Sequence, residues 1–193
     1  IEISKPIVDL ADGVLANAVK GIMGISIRNI ATLGGSIMGR YSFSDILTPL
    51  LVLDVDLTFY KAGTMSLADF LDLKKIDDIL VSITIKKKEY KGYFYSMKKT
   101  SLDFAVVNVA VTKSDLVDIA IGARPSLSVK PVKAIEFINK QDVVDEGIIE
   151  EAAEIAIEEI KFGTNSRASK EYRESITKTY IMRGLKEVFS NES

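Results

Sequence analysis

Ile25-Ser26-Ile27-Arg28-Asn29-Ile30-Ala31-Thr32-Leu33-Gly34-Gly35-Ser36 is the stretch that decides how this chain is read. It has no helical period, so it reads as a short strand running into a glycine turn. Two adjacent glycines reach backbone conformations closed to other residues. They also let main-chain N–H groups approach a diphosphate with no Cβ in the way. Thr32 and Ser36 add a hydroxyl on either side. Taken alone, the same pair is equally a tight turn after a strand, and both readings stand on the spacing.

Upstream, residues 9–24 read as one helix. Leu10, Val14, Ala18, Val19 and Ile22 recur at three- and four-residue intervals, and Gly24 is a plausible stop. Downstream, residues 44–53 form a short helix with Ser44 or Asp45 near its cap. Residues 53–60 alternate, with Leu53, Val55, Leu57 and Phe59 on the buried face. A short helical piece over 67–73 leads to a second alternating strand at 79–85, with Ile79, Val81, Ile83 and Ile85 inward. Strands follow at 93–99, 104–113 and 116–122, the last two joined as an antiparallel hairpin by Lys113-Ser114-Asp115. Helices then cover 131–139, 146–161 and 169–189. The order predicts an α+β protein of two units, 1–89 and 90–193, parted at the charged segment around Glu89.

Composition narrows the chemistry. The chain has 193 residues, 47% hydrophobic and 27% charged, which suits a real core. It contains no cysteine and no histidine. That excludes a thiolate nucleophile, a Ser-His-Asp triad, a Cys/His zinc site and a Cys-ligated iron–sulfur cluster. The net charge is −2 and the pI about 5.4, so nothing calls for nucleic acid. Lys86-Lys87-Lys88 reads as a solvated strand end. No stretch nears the roughly 20 apolar residues of a membrane helix. The amino terminus, Ile1-Glu2-Ile3-Ser4-Lys5-Pro6, does not resemble a signal peptide and lacks Met, as expected of a processed or trimmed product.

Arg28-Asn29-Ile30-Ala31-Thr32-Leu33-Gly34-Gly35-Ser36 resembles the "R-N-x-A-T-I-G-G-N" signature of the flavin-binding medium subunits of the molybdenum hydroxylases, the xanthine dehydrogenase and carbon monoxide dehydrogenase group. Further segments match in order: Ser44-Asp45-Ile46 with Pro49-Leu50-Leu51, the strand from Ile79 to Ile85, Tyr95-Ser96-Met97-Lys98-Lys99, and Asp103-Phe104-Ala105. Ile121-Gly122 with Pro131, Arg167-Ala168-Ser169-Lys170-Glu171-Tyr172-Arg173 and Arg183-Gly184-Leu185 complete the series.

The resemblance implies a PCMH-type FAD-binding domain (its second part only, without the first glycine motif), followed by a small three-stranded antiparallel sheet and a helical cluster. It implies FAD as cofactor, with the pyrophosphate held by Thr32, Leu33, Gly34, Gly35 and Ser36. Asp45 would bond a hydroxyl or amide of the flavin nucleotide, with a helix cap as the plainer role. Leu80, on the strand face opposite Ile79 and Val81, would line the cofactor, with core packing as the alternative. Lys98 would place a cation nearby, or be merely exposed. Ile22 stands where some members carry an aromatic ring beside the flavin. The Arg167–Arg173 segment reads as a helix start whose arginines pair with nearby acids.

The function so implied is a cytoplasmic electron-transfer subunit. Electrons would pass from 2Fe-2S clusters on one partner, fed by a molybdopterin-binding partner, through FAD to NAD or another acceptor. The alternative is a flavin-free scaffold that keeps the fold. No catalytic base is required, since the redox chemistry is the cofactor's.

Overall fold

The computed structural model describes residues 4–190; Ile1, Glu2 and Ile3, on which the reading of the amino terminus partly rests, lie outside them. The architecture is α+β. After α1 (Lys5–Val8) comes a turn of 3-10 helix at Leu10–Gly13, then α2 (Val14–Lys20), α3 (Ile25–Ile30), α4 (Leu33–Gly39) and α5 (Leu47–Leu51). Strands β1 (Val55–Phe59), β2 (Gly63–Ser66) and β3 (Leu80–Ile85) form one antiparallel sheet in the order β2-β1-β3, with α6 (Leu67–Asp72) between β2 and β3. Strands β4 (Lys91–Met97), β5 (Val107–Lys113) and β6 (Val117–Gly122) form a second antiparallel sheet in sequential order. Helices α7 (Val132–Asn139), α8 (Glu146–Glu159) and α9 (Lys170–Phe189) complete the chain.

The second sheet is covered on both faces. Val107, Val109, Val111, Ile119 and Ile121 face the core shared with α7, α8 and α9. The alternate residues Ala110 and Ala120 join the other core, with Leu47, Leu50 and the inward side chains of β1. Burial on both sides explains why β5 is buried almost throughout. Helix α9 lies close on the sheet because Gly184 has no side chain: a Cβ there would come within 2.7 Å of Tyr93 Cδ1 and Val111 Cγ2. Ser169 caps α9 by accepting from the Tyr172 amide at 3.3 Å, and Asp145 caps α8 from Ile148 at 2.9 Å.

Several expectations need correction. Residues 25–36 are not a strand and turn but two short helices. Gly24 takes extended backbone and its carbonyl accepts from Ile27 and Arg28, while Thr32 caps α4, so local capping overrides the aperiodic side-chain pattern. The helix expected over 9–24 is broken, because Ala11, Asp12 and Gly13 all have positive φ. That turn is held by the second sheet. The Gly92 amide donates to Asp12 Oδ2 at 2.9 Å, and a Cβ on Gly92 would lie 2.3 Å from the Ala11 carbonyl oxygen.

Strand β3 carries the third correction. Thr58 pairs with Ser82 but Phe59 pairs with Leu80, so Val81 bulges out of register. The bulge flips the faces before it. Leu80 joins Ile83 and Ile85 against the core, whereas Ile79 and Val81 are 69% and 61% exposed. The β1 alternation is as expected, with Val55, Leu57 and Phe59 buried. The fourth concerns Arg173, which pairs with no acid among the described residues. Fully buried, it donates to the carbonyls of Val106 and Ala123 and to Asn165 Oδ1, while Arg167 does pair with Asp103 at 3.3 Å.

Burial pushes the Tyr93 phenol up to about 12. Tyr180, stacked on Tyr95 with ring centroids 4.0 Å apart, is also raised, first by burial and then by its hydrogen bond with Tyr95. A phenol whose pKa is raised on folding leaves stability intact below its unfolded value, near 10, and withdraws it as pH rises through the folded value. Circular dichroism against pH should therefore show stability falling between pH 10 and 12, and Tyr93→Phe should shallow that fall. An identical slope in the variant would contradict the assignment.

Candidate cofactor-binding site

Thr32 has extended backbone and opens α4. Its Oγ1 accepts from the Gly35 amide at 3.0 Å, and its carbonyl accepts from both the Ser36 amide (3.0 Å) and the Ser36 hydroxyl (3.1 Å). Two of the main-chain donors expected for a ligand are thus used inside the turn. The first two helical amides, of Leu33 and Gly34, have no acceptor within a helix. The Thr32 hydroxyl still has its own proton to give. Gly35 is glycine for the sake of the cap, since a Cβ there would lie 2.9 Å from Thr32 Oγ1. Gly34 is different: a Cβ would meet only Leu80 Cδ2, at 3.9 Å. Leu80 therefore packs beneath the turn and supports it.

The turn opens on a cavity of about 450 Å³. Its walls are largely apolar, with Val19, Ile22, Ile25, Leu33 and Ile46 among them, and its polar groups are Arg28, Asn29, Thr32 and Ser36. A few polar groups converging on an apolar cleft of this size is the usual make-up of a small-ligand site. Arg28 folds back within its own segment, where Nη1 donates to the carbonyls of Ile22 at 3.0 Å and Met23 at 2.9 Å. Arg28 and the wall at Ile46 were not singled out as contacts from sequence, whereas the resemblance had set Ile22 beside the flavin. The strand reading of residues 25–36 hid the side on which they gather.

Asp45 and Lys98 do not line this cavity; they meet each other. Lys98 Nζ lies 2.7 Å from Asp45 Oδ2, with the side chains 10% and 8% exposed, and also donates to the Gly21 carbonyl at 2.5 Å. Asp45 Oδ1 accepts from Ser96 Oγ at 2.8 Å and from Asn108 Nδ2 at 3.2 Å. Asn108 Oδ1 accepts from Thr48 Oγ1 at 2.6 Å, which leaves the Ser128 hydroxyl to donate to Thr48 at 2.8 Å. Ser44 Oγ accepts from the amides of Ile46 and Leu47 in the turn that leads into α5, whose N-cap position is Ile46 and carries no side-chain cap. The signal for this network was present as Asn108, a polar residue in a run of valines.

Against this geometry, two family models match. The FAD binding domain in molybdopterin dehydrogenase covers residues 2–86, and the CO dehydrogenase flavoprotein C-terminal domain covers residues 92–188. The chain belongs to the FAD-binding subunit family of the molybdenum hydroxylases. FAD is the cofactor of this family's first domain. Among curated proteins, the Escherichia coli K12 protein YgfM, uncharacterised, is 33% identical over 89 residues, 46% of this chain. The chain spans 34% of that relative's length. Among solved structures, quinoline 2-oxidoreductase from Pseudomonas putida 86 superposes with a TM-score of 0.85 at 21% identity, over 100% of this chain and 72% of that one. Carbon monoxide dehydrogenase from Hydrogenophaga pseudoflava gives 0.85 at 20% identity, over 97% and 71%. That from Oligotropha carboxidovorans gives 0.84 at 15%, over 97% and 70%. At these identities the superpositions speak for the fold.

Among the described residues, no cluster of acidic side chains could hold a metal and no helix is long and apolar enough to cross a membrane. Gly122 gives a probe of the polar network. A Cβ there would fall 2.1 Å from Thr48 Oγ1, 2.3 Å from Asn108 Oδ1 and 2.5 Å from Ser128 Oγ. Gly122→Ala should cost about 3 kcal/mol in urea unfolding, the upper range for overpacking. A change below about 0.5 kcal/mol, the size of an ordinary surface substitution, would show that the network is not packed as described.

Proposed function

We propose that this chain is the flavin subunit of a molybdenum hydroxylase complex, with Thr32, Leu33, Gly34, Gly35 and Ser36 receiving the FAD pyrophosphate. The observation that carries the reading is the turn's placement. Thr32, Leu33 and Ser36 border one cavity, and the amides of Leu33 and Gly34, at the start of α4, have no acceptor within the helix. The residues fit the group. The hydroxyl of Thr32 and the amides of Leu33 and Gly34 suit phosphate oxygens, and the aliphatic walls suit flat ring surfaces. FAD supplies hydride and single-electron chemistry when bound; the chain positions it and excludes water.

In this reading the chain takes electrons from 2Fe-2S clusters on a partner subunit, which receives them from a molybdopterin-binding subunit, and passes them through FAD to NAD or another soluble acceptor in the cytoplasm. These 193 residues hold no cysteine with which to ligate such clusters, and the reading places them on partners. The solved carbon monoxide dehydrogenase whose description names a molybdenum cofactor lends support by its fold. The chain's division into a cofactor unit, 1–89, and a second unit, 90–193, belongs to the same proposal. Leu80 lies beneath the turn, and Asp45 and Lys98 pair with each other beside the chain neighbours of two cavity walls, Ile46 and Ile22.

The test uses Gly34. An aspartate in the first turn of a helix is favourable to the fold, yet it repels a diphosphate. Purified protein should take up FAD, seen as quenching of flavin fluorescence. Gly34→Asp should keep its melting temperature and lose roughly a hundredfold in affinity, about 2.8 kcal/mol. Undiminished affinity in the variant would remove the turn from the site. A wild-type protein that takes up no flavin would favour the scaffold role.

A further inference from the structure

Helix α3 runs between two parts of the candidate site and is weakly anchored by packing. It buries no side chain, and Ile25, Ile27 and Ile30 are 65%, 41% and 77% exposed and join neither core. Before it stands the cavity wall at Ile22, which packs on the first core. After it, past Ala31, Thr32 opens the glycine turn. The end of α2 is tied down by its own amides: Gly21 donates to the Asn17 carbonyl and Ile22 to that of Val19, both at 3.1 Å. Arg28, within α3, reaches back to that anchored end. Its Nη1 donates to the carbonyls of Ile22 at 3.0 Å and Met23 at 2.9 Å. Met23 has a φ of 21°, a region that residues with a side chain avoid and keep only where their surroundings enforce it.

We infer that Arg28 is a positioning residue: by gripping the Ile22 and Met23 carbonyls it fixes α3 against the end of α2, and so sets where the Thr32 turn stands relative to the Ile22 wall. The inference rests on the reading that the cavity receives FAD. The physical reason is direction. Bonds from a guanidinium to carbonyls are charge-assisted and oriented, whereas the exposed isoleucines give α3 little packing to hold it. The grip spans the joint at Met23 and Gly24, and the Gly24 carbonyl starts α3 by accepting from the Ile27 and Arg28 amides. Without the guanidinium, Met23 loses a constraint on its disfavoured φ. A rotation there carries α3 with it, because a hydrogen-bonded helix moves as one piece. Thr32 lies two residues past the end of α3, so the glycine turn is displaced as well.

Three variants of the full chain test this: Arg28→Met, Met23→Gly, and the two together. In ligand-free Arg28→Met, amide hydrogen exchange across residues 24–31 should quicken by about tenfold, while exchange in α8 and the melting temperature stay as in wild type. FAD affinity should fall by about tenfold in Arg28→Met, the low end for losing charge-assisted hydrogen bonds. Glycine takes positive φ at little cost, so with Met23→Gly the joint keeps its shape with less need of the grip. On that background Arg28→Met should lose no more than about threefold in affinity. Unchanged exchange over 24–31 in Arg28→Met overturns the inference, and so does global unfolding of that variant, which would make α3 part of the core. A full tenfold loss on the Met23→Gly background overturns it too, since the guanidinium would then act on FAD directly and not through the joint. If wild-type protein binds no FAD, the proposed function fails while the exchange result still decides the positioning role.

Discussion

A single ammonium group, that of Lys98, meets a carboxylate from the opposite part of the chain in a place almost closed to water. Burying two charges is costly unless their geometry is good and their remaining hydrogen-bonding capacity is used. Here both conditions hold. Asp45 accepts from Lys98, Ser96 and Asn108, and Lys98 also reaches the Gly21 carbonyl. Through Asn108 the chain of bonds continues to Thr48 and Ser128. The pieces so joined are the end of α2, the start of α5, the edge strand β4 and the central strand β5. Of these, the end of α2 and the approach to α5 also border the cavity beside the glycine turn, at Val19 and Ile46. Aliphatic packing supplies most of the cohesion, but it is non-directional. The polar chain is what fixes how the helices sit on the second sheet.

Much of this was legible from side-chain pattern. The alternation of Val55, Leu57 and Phe59 gave β1 its buried face, and the Lys113-Ser114-Asp115 turn gave the β5–β6 hairpin. The misreadings have local causes. Residues 25–36 have no helical period, yet two capped turns make them helical, because Gly24 and Thr32 supply what the side-chain pattern does not. The single-residue bulge at Val81 reverses the faces of a strand whose alternation is otherwise regular, and no pattern in the sequence announces a bulge. Leu80, for which the resemblance implied a place along the cofactor with core packing as the alternative, packs with Ile83 and Ile85 against the core and lies beneath Gly34.

The candidate site shows the same split. The turn from Thr32 to Ser36 was readable because glycine pairs and flanking hydroxyls carry a chemical meaning at short range. The partnership of Asp45 and Lys98 was not, since it joins residues far apart in sequence and depends on a sheet edge meeting a helix start. Resemblance to the family set both residues near the flavin nucleotide and did not pair them with each other. Arg173 is similar. Its segment stood out, but its partners are the carbonyls of Val106 and Ala123 and the Asn165 amide oxygen, which only the assembled fold brings together.

Whether the buried pair governs the fold as described is decided most directly by a double-mutant cycle on stability in urea, using Asp45→Asn, Lys98→Met and their combination. Each single change leaves one charge buried without its counter-charge and should cost about 3 kcal/mol. The combined change should cost much less than the sum, with a coupling energy of at least about 1.5 kcal/mol. Losses that simply add would mean that the two groups act independently, and the account of how the helices are fixed on the second sheet would be wrong.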